Sequence, residues 1–548
     1  MLKKLLQGAV IGTAMLGLVG SAAAVNYEIN VYGASAQYLY WNDAADNFLT
    51  NVKGCDTVTQ GQNDGKNNGI TYGINCPGPG GDTYTIRYSS KASFDGVLSV
   101  KGDDSQTGAA EICHDGDPIA PPTGGTIAAG QAGYYRKMAS SVGAPNTLMC
   151  ARVNIGASDV AGESFSQESH GCLKGYKTAG APFCEGDNWV DRVFSPIPTG
   201  TLDKDNTVIV PFGFFANNCV TKTKCLSPNP IEGNPPLAGE PTATAPAESS
   251  DWGNDKAISA WGNQCWDPDG DGHSRDCIGY WKCVDSKCVG GTNKDGACAK
   301  LEDCPDVDIS NTVCKRIPID NLSRMMAVMI FSGQVDDWQD FGAWWDGDCD
   351  PTAADTTRDP IVACLRHAGS GTHATLDLAV MKGNGWGGDV AIDQYDSSFV
   401  NDKYSYGVWF NDGSSDEMKC INERMGAIGY ADCDQLIASK GSLSAPLADF
   451  PYEYVNDMKY NGVECRRAKI RNGEYDFWSK QWLYWDHANL NQEQVTTVGQ
   501  LVAFAKNPAN LPLNKMDYWA SEGEMWYTKA SDASYPTYGG TPIYPLLP

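Results

Sequence analysis

The chain has 548 residues, with 41 Lys and Arg against 67 Asp and Glu, and a formal net charge of −26. That length calls for more than one core-forming unit, because single hydrophobic cores stop growing at about 250–300 residues. The acidic balance excludes a nucleic-acid binder, which needs a basic face against phosphate, and no polybasic run is present to meet an anionic membrane.

Residues 1–24 read as an export signal. Lys3 and Lys4 precede an apolar run over 5–19, and Ala22-Ala23-Ala24 supplies small residues for cleavage. The run is short for a ~20-residue membrane span, and no later stretch could cross a bilayer. No Cys follows it before Cys55, which argues against a lipid anchor. The expected mature protein is soluble, without membrane insertion, and periplasmic or extracellular. Twenty Cys, an even number, agree with export and disulfides. No Cys-x-x-Cys pair is present, and Ala110 stands where covalent haem attachment at Cys113-His114 would need a Cys.

In chain order, residues 26–32 predict a strand that breaks at Gly33-Ala34-Ser35, and helical spacing follows over 36–49. Residues 51–82 are polar and Gly-rich and read as a surface insertion. A second strand covers 83–88 and leads into Ser89 to Ser93. Residues 111–150 look irregular. A short strand over 152–155 ends at Gly156-Ala157-Ser158-Asp159, and a strongly apolar strand covers 207–215. Residues 226–250 read as a Pro-rich linker. Seven Cys between 265 and 314 predict a small disulfide-stapled module; the odd count requires a partner elsewhere, with Cys219 and Cys225 nearest. Beyond it come a helix over 322–331, a strand over 361–365, the turn 366–372, a helix over 373–381 and a strand over 425–430. Alternating strands and helices predict an α/β architecture of two lobes around a cleft. The first lobe takes 25–210, and the second takes 211–434 with the Pro-rich and Cys-rich insertion at about 219–316. Residues 435–548 return to the first lobe and form a C-terminal segment.

The strongest chemical signal is Arg366-His367-Ala368-Gly369-Ser370-Gly371-Thr372. A strand delivers an arginine at its carboxyl end, and small hydroxyl-bearing residues open the next helix. Free N–H groups there attract anions, and arginine grips a tetrahedral oxyanion bidentately. No Gly-Lys-Ser/Thr follows, so this is not a nucleotide P-loop. Ser35 and Ser93 occupy similar turns. Each alone is an ordinary helix start, yet ligands collect at the carboxyl ends of such strands. A separate run, Asp267-Pro-Asp269-Gly-Asp271-Gly272 with Asp276, resembles calcium-binding loops, although the terminal Glu of an EF-hand is missing. An acidic solvated turn explains it equally well. Ser158 lacks the second Gly of a nucleophile elbow, and the six His show no metal-binding spacing, so no catalytic residue is expected.

Six motifs occur in order: Gly33-Ala34-Ser35, Tyr88…Ser93…Gly96, Gly156-Ala157-Ser158-Asp159, Ile330-Phe331-Ser332-Gly333…Trp338, Arg366…Gly369-Ser370-Gly371-Thr372, and Gly426-Ala427-Ile428-Gly429-Tyr430. Tyr460-Asn461-Gly462-Val463 and Asn472-Gly473-Glu474-Tyr475 follow. Together they resemble the periplasmic phosphate-binding proteins of bacterial phosphate ABC transporters over residues 28–485, interrupted by three insertions. The resemblance implies a two-lobed type II periplasmic-binding-protein fold, here with a Cys-rich disulfide insertion. It implies inorganic phosphate or a similar protonated oxyanion as ligand, no required cofactor, and a transporter permease as partner. The ligand set it implies is Ser35, Ser93, Asp159, Arg366, Ser370, the Gly371 backbone and Thr372. A carboxylate only accepts hydrogen bonds, so Asp159 would favour an anion that still carries a proton over sulfate. Two positions depart from the family. Ala36 replaces an aromatic, and Ala368 replaces an acid that would orient the arginine, so Arg366 is expected to be held differently, with His367 nearby. The alternative reading is an extracellular structural or adhesive protein built on the same fold, which the Cys-rich insert, the linker and 16 Trp favour.

Overall fold

The computed structural model describes residues 24–63, 68–78, 80–103, 112–143, 147–166, 168–172, 189–226, 282–284, 287–289, 313–342, 345–347, 359–382, 407–435 and 455–539. Residues 1–23 of the expected export signal, the acidic run Asp267, Asp269, Asp271 and Asp276, and nearly all of the expected Cys-rich module lie outside these residues. Within them the protein is mixed α/β, built on one fifteen-stranded sheet. Its strands are β1 (Asn26–Ala34), β2 (Thr57–Asn63), β3 (Asn68–Cys76), β4 (Asp82–Lys91), β5 (Ile155–Ser158), β6 (Glu168–Cys172), β7 (Trp189–Val193) and β8 (Asp203–Asn217), then β9 (Asn321–Leu322), β10 (Val362–Arg366), β11 (Gly407–Asn411), β12 (Ala427–Asp432), β13 (Val455–Tyr460), β14 (Trp478–Trp485) and β15 (Ala520–Ser521). The helices are α1 (Tyr38–Asn51), α2 (Ser93–Lys101), α3 (Arg324–Phe331), α4 (Gly371–Thr375), α5 (Ser414–Glu423), α6 (Arg467–Arg471) and α7 (Gln492–Lys506).

The sheet runs β2-β3-β4-β1-β5-β14-β8-β12-β10-β11-β6-β7, with β13 and β15 also on β8 and β9 on β13. Two parallel groups stand out. One is β4-β1-β5, and the other is β12-β10-β11. Their strands are largely buried, as parallel strands covered on both faces are, although β1 and β4 carry buried polar residues such as Asn30, Arg87 and Ser89. β1 is buried from Glu28 to Ala34, and β10 is buried throughout. Antiparallel β8 joins the groups. Asp203 to Pro211 pairs with β14, and Phe212 to Ala216 pairs with β12. Pro211 sits at the handover, where a residue without an N–H interrupts neither ladder. Around β8 the core is aromatic. Phe214 stacks on Phe477 at 5.0 Å and on Phe331 at 5.8 Å.

Several sequence expectations change. Residues 51–82 carry regular structure: β2 and β3 form a hairpin at the edge of the main sheet, tied by Cys55–Cys76. Residues 111–150 are not wholly irregular. Tyr135–Ala139 pairs antiparallel with Leu148–Arg152, and Cys113–Cys150 closes the segment. The strand expected over 152–155 lies three residues on, as β5. β6 precedes residue 210 yet attaches to β11, through Trp409 and Cys172. β13 follows residue 435 yet pairs with the Phe214–Asn217 end of β8, so the chain rejoins the first group only at β14. In the insertion, the register places Cys225 opposite Cys314.

Helix α2 packs very closely on β1 and β5. A Cβ on Gly96 would sit 2.4 Å from Ala157 O, and one on Gly156 would sit 2.1 Å from Gly96 O. Gly96→Ala should therefore destabilise the fold by about 1–3 kcal/mol, as overpacking does. Denaturant unfolding would show it as a lower midpoint at unchanged slope.

Candidate functional site

The carboxyl ends of the two parallel groups meet, and the seam between them stands where the cleft is expected. Ser35 follows β1 in a single 3-10 turn, Ser35–Gln37. Ser93 opens α2 after β4, and Asp159 directly follows β5. From the other group, Arg366 is the last residue of β10, Ser370 is the N-cap of α4, and Gly371 and Thr372 form its first turn. The expected helix over 373–381 begins two residues earlier and continues from α4 as a wider π-type turn over Leu376–Met381. Each of Ser93, Asp159, Arg366, Ser370 and Thr372 is at most 2% exposed, whereas Ser35 is half-buried.

The two sets meet. Arg366 Nη2 donates to Ser35 Oγ at 3.4 Å, and Nη1 to Thr372 Oγ1 at 3.5 Å. Phe94 N–H donates to Gly369 O at 3.0 Å. Asp159 N–H donates to Ser93 Oγ, and Ser93 Oγ to Asp159 Oδ2, both at 3.2 Å. Gly371 backs onto this pair so closely that an added Cβ would lie 2.3 Å from Ser93 Oγ and 2.7 Å from Asp159 Cβ. Ser370 is brought to the same place, but its hydroxyl does not cap α4. Gly371→Ala is accordingly expected to hold the two sides apart. Oxyanion affinity should fall more than tenfold, with a fall in melting temperature as overpacking of a buried site requires, and titration beside a thermal melt would check both.

Burial and polar contacts oppose one another at Asp159. Burial pushes its carboxyl up to about 6, against hydrogen bonds from Gln37 and Ser93 and the charge of Arg366. Gln37 Nε2 donates to Asp159 Oδ1 at 2.8 Å. Gln481 Nε2 donates in turn to Gln37 Oε1, and Thr207 Oγ1 to Gln481 Oε1. This buried chain was not read from the sequence, because isolated glutamines on a helix start and on β14 carry no local signal. Tyr88 also faces the site: its hydroxyl donates to Ala34 O, and burial beside Asp159 keeps it protonated.

Arg366 is held chiefly by α5 and the residues before it. Nη1 donates to Ser414 Oγ and Nη2 to Asp412 O, both at 2.9 Å. Nε faces Glu417 Oε2 at 4.0 Å, and Glu417 is fully buried. Its other oxygen accepts the Tyr430 N–H at 2.9 Å. His367, the expected neighbour, instead directs Nδ1 to Ala368 O and Nε2 toward Asp412 Oδ1 at 3.5 Å. Tyr430 OH accepts the Arg366 N–H at 3.1 Å and lies 2.7 Å from His373 Nδ1. Burial, then His367 and Arg366, push His373 down to about 3, so the imidazole is neutral.

The site thus combines one buried guanidinium, hydroxyls from both sides, backbone N–H groups and one carboxylate that only accepts when ionised. Such a set can bind a tetrahedral oxyanion carrying a proton. Helix α4 has only five residues, so its dipole adds little and Arg366 supplies the main positive charge. Among the described residues, no cluster of three or more His, Cys, Asp or Glu is placed to hold a metal ion, and no helix is long and apolar enough to cross a membrane.

No family profile and no curated protein matches the chain. Solved structures give distant, partial likenesses. A putative phosphate ABC transporter substrate-binding protein from Clostridium perfringens, with bound phosphate, has a TM-score of 0.22 at 16% identity, over 34% of this chain and 57% of that one. An ABC-type phosphate transport receptor from Vibrio cholerae gives 0.21 at 17%, over 35% and 60%. PstS from Borrelia burgdorferi gives 0.22 at 13%, over 33% and 58%. The chain therefore spans less than two thirds of the length of these structures.

Proposed function

We propose that this protein is an exported solute-binding protein that captures phosphate, or a similar protonated tetrahedral oxyanion, between the two parallel strand groups for uptake through an ABC-transporter permease. The observation that carries this reading is the meeting of Arg366 with Ser35 across the cleft, with Thr372 on its own side, beside the Asp159–Ser93–Gly371 contact. An anion taken from water needs nearly every oxygen paired, and these groups supply donors from both sides. The 3.4–3.5 Å contacts of Arg366 are long for a charged donor and are the ones an oxyanion would replace with shorter bonds. Asp159 supplies the acceptor for the proton of the ligand.

Calorimetric titration with phosphate, arsenate and sulfate tests the reading. Saturable 1:1 binding of phosphate and arsenate is expected, with sulfate much weaker. Equal binding of all three, or of none, would reject it.

A further inference from the structure

Behind the cleft lies an arrangement that the ligand set leaves unused. Helix α5 and the residues before it enclose the far side of the Arg366 guanidinium through Asp412 O, Ser414 Oγ and Glu417. Ser414 and Glu417 are three apart and share one helix face. Arg366 Nε and Glu417 Oε2 have no hydrogen-bond partner among the described residues, and they face each other at 4.0 Å with neither side chain more than 1% exposed.

The surrounding fold is shaped to keep α5 there. Cys364, two residues before Arg366 on β10, is bonded to Cys420, three residues after Glu417. Gly429 on β12 has no Cβ where one would lie 2.7 Å from Cys364 O, 2.8 Å from Ile421 Cδ1 and 3.0 Å from Glu417 Oε1. A side chain at 429 would push α5 away from β10. The neighbouring Tyr430 N–H holds Glu417 Oε1, and Tyr430 OH holds the Arg366 backbone. The disulfide, the glycine and the tyrosine all act on one relation, that of Glu417 to Arg366.

We infer that Glu417 is a positioning residue for oxyanion binding: it fixes the guanidinium of Arg366 from behind and, with Ser414, aims the Nη1 and Nη2 edge at Ser35 and Thr372. This inference rests on the oxyanion-binding function proposed above. Burial raises the Glu417 carboxyl well above its usual range, against the Arg366 charge and the Tyr430 N–H, with Asp432 adding to the rise. The groups facing Glu417 are thus Arg366 on β10 and Tyr430 and Asp432 on β12.

The test is a phosphate titration of the full chain with Glu417→Gln, Glu417→Ala and Ser414→Ala, each also made in an Arg366→Lys background. Gln keeps the shape of the side chain and the oxygen that accepts the Tyr430 N–H, so Glu417→Gln should stay within about threefold of wild type. Glu417→Ala should weaken binding more than tenfold, and Ser414→Ala, the milder change, about three- to tenfold. In the Arg366→Lys background both alanine effects should shrink below threefold, because residues that act through one partner are not additive. If Glu417→Ala costs the same factor in both backgrounds, or if Glu417→Gln is as weak as Glu417→Ala, the positioning role is wrong. Should Glu417→Ala fail to fold, the Ser414→Ala cycle decides in the same way. Wild-type protein that binds no oxyanion would overturn the functional reading and this role together; wild-type binding with additive variants would overturn this role alone.

Discussion

Arg366→Ala should weaken phosphate binding at least about 30-fold, a loss of about 2–5 kcal/mol, the range for truncating one partner of a buried, hydrogen-bonded charge pair. The size follows from position. Arg366 is 1% exposed, and two short hydrogen bonds on its far side already fix it. The binding edge is therefore organised before the ligand arrives, and little binding energy goes to ordering the side chain. Arg366→Lys should retain part of the charge but lose the fork, and should lie between wild type and Ala. The alanine variant also leaves Glu417 without its guanidinium, so its melting temperature should be measured beside its affinity. Wild-type-like phosphate affinity in Arg366→Ala would remove the site from the cleft.

The second large effect concerns Asp159 and appears in two quantities of opposite sign. A folded-state carboxyl raised from 3.8 to about 6 costs stability once both states are ionised. The cost is absent below about pH 4, grows as pH rises from 4 to 6, and is complete at neutral pH. Asp159→Asn removes it. The ligand-free variant should be more stable than wild type by up to about 2–3 kcal/mol at pH 7, with the gain vanishing near pH 4. Function should move the other way. Asn adds a donor, so the gap between phosphate and sulfate should narrow, since unpaired buried groups discriminate more strongly than size does. Wild-type protein should show the same narrowing as pH falls through about 6, where Asp159 gains a proton and can donate. Chemical denaturation at pH 4 and 7, with phosphate–sulfate competition at pH 5 and 7.5, checks both signs. A destabilised Asp159→Asn variant with unchanged selectivity would mean that Asp159 is structural.

The residues that line the cleft were legible because each sits where local sequence changes character, at the carboxyl end of an apolar strand and the start of a helix. Ser35, Ser93, Asp159 and the run from Arg366 to Thr372 all have that signature. Those behind the cleft were not. Glu417 lies in Ser-Ser-Asp-Glu-Met-Lys-Cys, which reads as a polar helix start on the surface; only the packing of α5 on β10 and β12 buries it. The clues available were a Gly inside an apolar strand at 429 and a Cys on each side of the contact, at 364 and 420, and their meaning depends on knowing which elements touch. β2 and β3 were missed for a related reason. Thr-Val-Thr-Gln-Gly-Gln-Asn is too polar to announce a strand, and the hairpin, closed at its base by the Cys55–Cys76 bond, joins the sheet at an edge through backbone pairing of β3 with β4. The shift from 152–155 to 155–158 came from reading the end of the preceding hairpin, Leu148–Arg152, as part of the strand that delivers Asp159.

The central claim is that one oxyanion sits between the two strand groups, and a crystal structure of the protein with phosphate tests it most directly. The account predicts a single tetrahedral anion with oxygens within about 3 Å of Arg366 Nη2, Ser35 Oγ, Thr372 Oγ1 and the Gly371 N–H, and one oxygen toward Asp159, as charged and neutral hydrogen bonds require. Phosphate bound elsewhere, or a cleft still closed by direct Arg366–Ser35 and Arg366–Thr372 contacts at saturating phosphate, would contradict it.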